Sequence, residues 1–201
     1  MAVKESDVKS VLTPQRETKI YQAHNDAWED WWKSPDRSKF SFWKRTRANM
    51  FFERLRYHLY EAFKNDRGVH FEFKHQTFKI LFDQKLMVRF KKANGKGLGS
   101  NVWTQAVFCF CSAQQEIPGL PGVDKVEVVY ALNPLNTAIE KVFVQARDGK
   151  IRLWAYEIGD KKQAGIVPLP KRTPPKPPAG AGDLVTPRKS GRRDESEDKK
   201  G

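Results

Sequence analysis

Residues 44–74 read KRTRANMFFERLRYHLYEAFKNDRGVHFEFK, and within them the spacing of apolar side chains changes from helical to alternating. Ala48, Phe51, Phe52, Leu55, Leu59, Ala62 and Phe63 fall in one arc of roughly 120°, which predicts a helix over about 44–64 lying on a core. Asn65, Asp66 and Gly68 close that helix. Val69, Phe71 and Phe73 then alternate with His70, Glu72 and Lys74, the two-residue period of a half-buried strand. A helix that passes directly into a strand predicts an α+β domain with helices and sheet in separate layers.

Working upstream, Ile20, Ala23, Ala27 and Trp31 recur at helical spacing, so a first helix is expected over 17–33, ended by Ser34-Pro35-Asp36. Residues 1–16 read as a flexible leader. Downstream, a turn near Gln76 precedes Phe78, Ile80 and Phe82. After Asp83-Gln84-Lys85, Leu86, Val88 and Phe90 alternate with Met87, Arg89 and Lys91. This predicts a three-stranded antiparallel meander. The segment 91–100, KKANGKGLGS, reads as a flexible loop.

A third helix is expected over 101–116, capped by Ser100 or Asn101 and stopped by Pro118-Gly119, although Val107-Phe108-Cys109-Phe110-Cys111 has the composition of a strand. Strands follow at 124–133, 138–147 and 151–158, the last two joined by the hairpin signal Arg147-Asp148-Gly149-Lys150. The expected fold is thus two N-terminal helices and an antiparallel sheet of about six strands with one inserted helix. It fills a single domain over 17–158. Residues 159–201 hold seven of the twelve prolines and runs of charge, which predicts a disordered Pro-rich basic tail.

Thirty-seven Lys and Arg against 24 Asp and Glu leave a net charge of +13, which points to polyanionic partners. The surplus is concentrated: residues 37–67 carry nine basic and three acidic side chains. No stretch approaches the roughly 18 apolar residues of a membrane span, so no membrane partner and a cytoplasmic location are expected. Cys109 and Cys111 are too close together for a comfortable disulfide and read as reduced core residues. His24, His58, His70 and His75 have no metal-ligand spacing, and neither a metal nor a cofactor is expected.

Arg47, Arg54, His58 and Glu61 line the helix side opposite the apolar arc, flanked by Tyr57 and Lys64. Together with Lys44, Arg45 and the loop lysines Lys91, Lys92 and Lys96, this predicts a nucleic-acid-binding surface, with Trp43 or Tyr57 available to stack on unpaired bases. The expected role is a binding protein of the regulatory or defence accessory kind found in bacteria and phages, whose mechanism is charge neutralisation.

Two alternatives compete with that reading. Glu72 and Lys74 on one side of a strand, with Asp83 at the end of the next, resemble the parts of a metal-dependent nuclease. A protein partner for the tail, whose Pro168–Pro170 and Pro174–Pro178 segments have polyproline composition, would make the chain an adaptor. Neither Gly-x-Ser-x-Gly nor a phosphate-cradling Gly-x-x-x-x-Gly-Lys is present.

Overall fold

The computed structural model describes residues 3–74 and 77–159, all of which fall in one compact unit. The expected turn near Gln76, His75 and the tail from residue 160 onward lie outside the described residues. The leader differs from expectation. Residues 5–11 form α1 (Glu5–Val11), and Val8, Val11 and Leu12 are buried in the main core. The Trp154 indole N–H donates to the Val3 carbonyl at 2.8 Å, and the Lys9 ammonium lies 4.5 Å above the Tyr156 ring. With only two or three apolar residues, a seven-residue helix shows no periodicity in sequence; tertiary burial holds it.

Thr13 accepts a hydrogen bond from the Arg16 N–H and Pro14 occupies the first helical position, so α2 (Pro14–Lys33) starts one turn earlier than its apolar spacing suggests. It buries Ile20, Ala23, His24, Ala27 and Trp31. A single turn, α3 (Pro35–Lys39), links it to α4 (Lys44–Phe63), which buries Phe51, Leu55, Leu59 and Phe63 as its apolar arc predicts.

Six strands follow in one sheet whose spatial order equals their chain order: β1 (Val69–Lys74), β2 (Thr77–Phe82), β3 (Leu86–Lys92), β4 (Asp124–Leu132), β5 (Ile139–Asp148) and β6 (Ile151–Ile158). The α+β class and the number of strands are as expected. The sheet is mixed, however, because β3 and β4 run parallel while the other pairs are antiparallel. A parallel neighbour needs a long crossover. Here the crossover is residues 93–123, which include α5 (Gln105–Cys111), a helix shorter than the expected 101–116 and capped by the Thr104 side chain.

The two sheet faces differ in chemistry. Ile80, Phe82, Leu86, Val88, Phe90, Val126, Val128, Val142 and Val144 share the main core with α1, α2 and α4. On the other face a small apolar cluster of Leu81, Met87, Val107, Phe110 and Cys111 lies under α5. Segment 93–100 is also better ordered than its composition predicts. The Asn94 side chain accepts from the Lys96 and Leu98 N–H groups, and Leu98 and Gly99 are buried against the sheet. An asparagine that organises its own loop lets a glycine-rich segment pack.

Candidate nucleic-acid interface

The start of α4 gathers cations without acids. Its first turn contains no Asp or Glu, and Trp43, at the position before the helix, supplies no side-chain cap. The open N–H groups and the helix dipole therefore add to the field of Lys44, Arg45 and Arg47. The acids of α4 are engaged elsewhere, Glu53 with Arg56 and Glu61 with Lys64, each at 2.6 Å. Among the described residues, no carboxylate lies within salt-bridge distance of Lys44, Arg45 or Arg47.

Lys92, from the end of β3, joins this group. Burial lowers its pKa first, and the positive charges of Arg47 and Lys44 lower it further, which places the three ammonium and guanidinium groups in one electrostatic neighbourhood. Beside them stand exposed aromatics. Trp43 is 84% exposed and Phe40 60%, while the Arg37 guanidinium stacks 3.3 Å from the Trp32 ring centre. Phe40 packs on Phe42 and Trp32 on Trp28, so among the described residues Trp43 is the exposed ring without a ring partner directly ahead of these cations.

Other members of the expected surface lie elsewhere. Arg54 turns back along its own helix, donating to the Met50 carbonyl at 3.1 Å, with its guanidinium 5.9 Å from the Trp31 ring centre. His58 pairs with Asp30 of α2 at 2.6 Å. Tyr57 is exposed, but it lies about 20 Å along the helix axis from Lys44, and Lys64, which caps the helix, about 30 Å. Lys64 is held by Glu61, which raises its pKa. Lys96 belongs to the loop seated over the opposite sheet face, where its carbonyl accepts from Arg152 at 3.3 Å. Of the nine residues expected, Lys44, Arg45, Arg47 and Lys92 form one corner. Lys91, next in the strand to Lys92, points into the alternate phase of β3.

Glu72, Lys74 and Asp83 are not brought together. Glu72 is opposite Lys79 in the β1–β2 register and accepts from its ammonium at 3.1 Å through both oxygens. Lys74 is exposed at one end of the hairpin, while Asp83 sits at the other, bonded to Arg16 at 2.5 and 3.0 Å. Among the described residues, no group of three or more His, Cys, Asp or Glu is arranged to hold a metal ion. The proline segments on which an adaptor reading depends lie outside the described residues.

Sequence reasoning missed a second polar centre, on the α5 side of the sheet. Arg89, Glu127 and Gln145 occupy one row across β3, β4 and β5. The Glu127 carboxylate, 1% exposed, accepts from Gln145 Nε2 at 3.1 Å, Arg147 Nη1 at 3.2 Å and Asn101 Nδ2 at 3.3 Å. Burial, then the Glu127 charge, pushes the Cys111 thiol up to about 11, so it stays protonated. Lys91 is pushed down to about 8, by burial first and by Arg89 next, against an opposing pull from Glu127. In sequence, Arg89 and Lys91 look like the solvent phase of an alternating strand. Only the neighbouring Met87 on the same phase hinted that something covers this face.

No protein-family model, curated protein or solved structure matches this chain.

Proposed function

We propose that this protein binds nucleic acid, preferentially single-stranded, at the corner formed by α3, the start of α4 and the end of β3. Trp43 and Phe40 stack on bases, and Lys44, Arg45, Arg47 and Lys92 neutralise phosphates, with little base-edge readout. One observation carries the reading. Trp43, 84% exposed and without a ring partner among the described residues, leads directly into three cations that no carboxylate bridges. A merely solvated helix face would not need a bare indole beside it. Among the described residues, no helix is long and apolar enough to cross a membrane. A cytoplasmic accessory role fits this chemistry.

Fluorescence anisotropy with labelled single- and double-stranded DNA and RNA tests the proposal. Trp43→Ala is expected to weaken single-strand binding by about 1–3 kcal/mol, roughly 5- to 150-fold, with a smaller effect on duplexes. Equal affinity of the variant and the parent for single strands would remove stacking from the account.

A further inference from the structure

Along α4, Asn49, Phe52, Glu53 and Arg56 recur at intervals of three and four residues, so they share one face of the helix. The β1–β2 hairpin turns its aromatic phase toward that face. Phe73 and Phe78 are in-register partners with ring centres 5.1 Å apart, and Phe78 is buried in the main core that α4 covers. The Arg56 guanidinium carbon lies 5.7 Å from the Phe73 ring centre, so helix and hairpin meet there. Together these side chains wall a cleft of about 420 Å³, within the range of about 300–1,000 Å³ typical of small-ligand sites. Lys74 and Thr77 also border it, but they pair in register on the opposite phase of the hairpin and are not part of the α4-facing wall.

The chemistry of this wall suits a base. Phe73 is 53% exposed although it faces the helical layer, so the cleft leaves much of a ring free for stacking. The Asn49 side chain is exposed and makes no hydrogen bond to any described residue, which leaves both its donor and its acceptor open. Arg56 differs, because its Nη2 lies 2.6 Å from the Glu53 carboxylate, which neutralises the charge and occupies one side of the guanidinium fork. An open amide matches the N6/N7 edge of adenine, whereas a free guanidinium matches the O6/N7 edge of guanine. With Asn49 open and Arg56 engaged, the cleft favours adenine.

The cleft also adjoins the cationic corner. Arg45 precedes Asn49 by four residues and shares its helix face. A neighbouring opening of about 250 Å³ has Asn49, Phe52 and Phe78 in common with the cleft and is bordered by Lys92. Lys92 lies on the α4-facing phase of β3, with Val88 and Phe90. A strand whose phosphates sit at Arg45 and Lys92 therefore runs beside Asn49.

We propose that the cleft between α4 and the β1–β2 hairpin is a pocket for one adenine base of a bound single strand, with Phe73 stacking on its ring and Asn49 hydrogen-bonding its N6/N7 edge. This rests on the nucleic-acid reading above and adds to it a single position at which the base matters.

Fluorescence anisotropy of the full chain with labelled oligothymidylate, unsubstituted or carrying one central adenine, guanine or cytosine, tests it. The adenine strand is expected to bind at least about fivefold more tightly than the other three. Asn49→Ala is expected to abolish that preference, so that this variant binds the adenine strand no better than oligothymidylate. Phe73→Ala is expected to weaken binding of the adenine strand at least about fivefold and to remove the preference as well. Both side chains are exposed, and the melting temperature checks that the variants are folded. Equal affinity of the parent for all four strands, a preference for another base, or an adenine preference that survives either substitution overturns the pocket and leaves the cationic corner standing. Binding of no strand by the parent at low salt overturns both.

Discussion

Arg16 and Asp83, 67 positions apart, are joined by two hydrogen bonds of 2.5 and 3.0 Å. The same guanidinium grips Asp66 at 3.1 and 3.2 Å and donates to the Val11 carbonyl at 2.9 Å. One side chain at the start of α2 thus ties together the end of α1, the turn after α4 and the β2–β3 turn. Asp83 and Gln84 of that turn have φ of 51° and 55°. The aspartate is a fastening of the helical layer to the sheet.

Asp83→Asn is expected to lower stability by about 1–2 kcal/mol, since it weakens charge-assisted bonds that are partly open to solvent. Both Asp66 and Asp83 have pKa values held below the usual carboxylate range, by the Arg16 hydrogen bonds first. Their contribution is present above the ordinary carboxylate pKa and is lost as pH falls through the depressed values. Urea unfolding at pH 7 and below pH 4 should show a smaller acid-induced loss in the variant than in the parent. An equal loss would deny the pair its role.

Gly68 packs against this junction. A Cβ there would lie 2.0 Å from Asp83 Oδ1 and 2.9 Å from Arg16 Nη2. Gly68→Ala is expected to cost about 1–3 kcal/mol by forcing the pair apart. Loss of stability in Gly68→Ala that shrinks in the Asp83→Ala background, which removes the clashing carboxylate, measured as a double-mutant cycle, identifies the clash as the cause.

His24 provides an independent acid response. Its Nδ1 lies 2.8 Å from the Ile20 carbonyl, its Nε2 is buried without a partner, and burial lowers its pKa to about 4. Between about 4 and 6.5 the unfolded chain binds a proton that the folded chain refuses, so stability rises with pH across that window. The contribution lost at the acid end is on the order of 3 kcal/mol. His24→Phe should flatten the profile of unfolding free energy between pH 4 and 6.5, and an unchanged slope would contradict a neutral buried imidazole.

Glu127→Ala is expected to destabilise by about 3–5 kcal/mol, because it leaves Arg147 and Arg89 without a counter-charge inside the fold. Glu127→Gln keeps a hydrogen-bonding group and should cost less. Thermal unfolding of the two variants checks the order; equal effects would mean that shape, not charge, matters at this position.

The apolar phases of Leu55, Leu59 and Phe63 and of Ile80 and Phe82 were legible because one buried face imposes a period that sequence shows directly. The β5–β6 hairpin was legible in Asp148-Gly149, and Gly149 has a φ of 56°. The parallel β3–β4 pairing was not, since its crossover is irregular apart from seven residues of α5. Nor was the Arg89–Glu127–Gln145 row, whose members alternate with apolar residues as solvent-facing ones do and meet only once the register is known. At the nucleic-acid corner, the charges of Lys44, Arg45 and Arg47 were evident, whereas the separation of Tyr57 and Lys64 from them follows from helix length. The turn of Arg54 toward Trp31 and of His58 toward Asp30 required the α2–α4 packing.

The most direct test of the account is the salt dependence of single-strand binding by the parent and by the Lys44→Ala, Arg45→Ala, Arg47→Ala variant. These side chains are surface groups without carboxylate partners among the described residues, so the variant should unfold within about 0.5 kcal/mol of the parent. Its plot of log affinity against log salt should be shallower by about 2, the release expected for three lost phosphate contacts. Identical slopes and affinities, or no binding by the parent at low salt, would contradict the proposed interface.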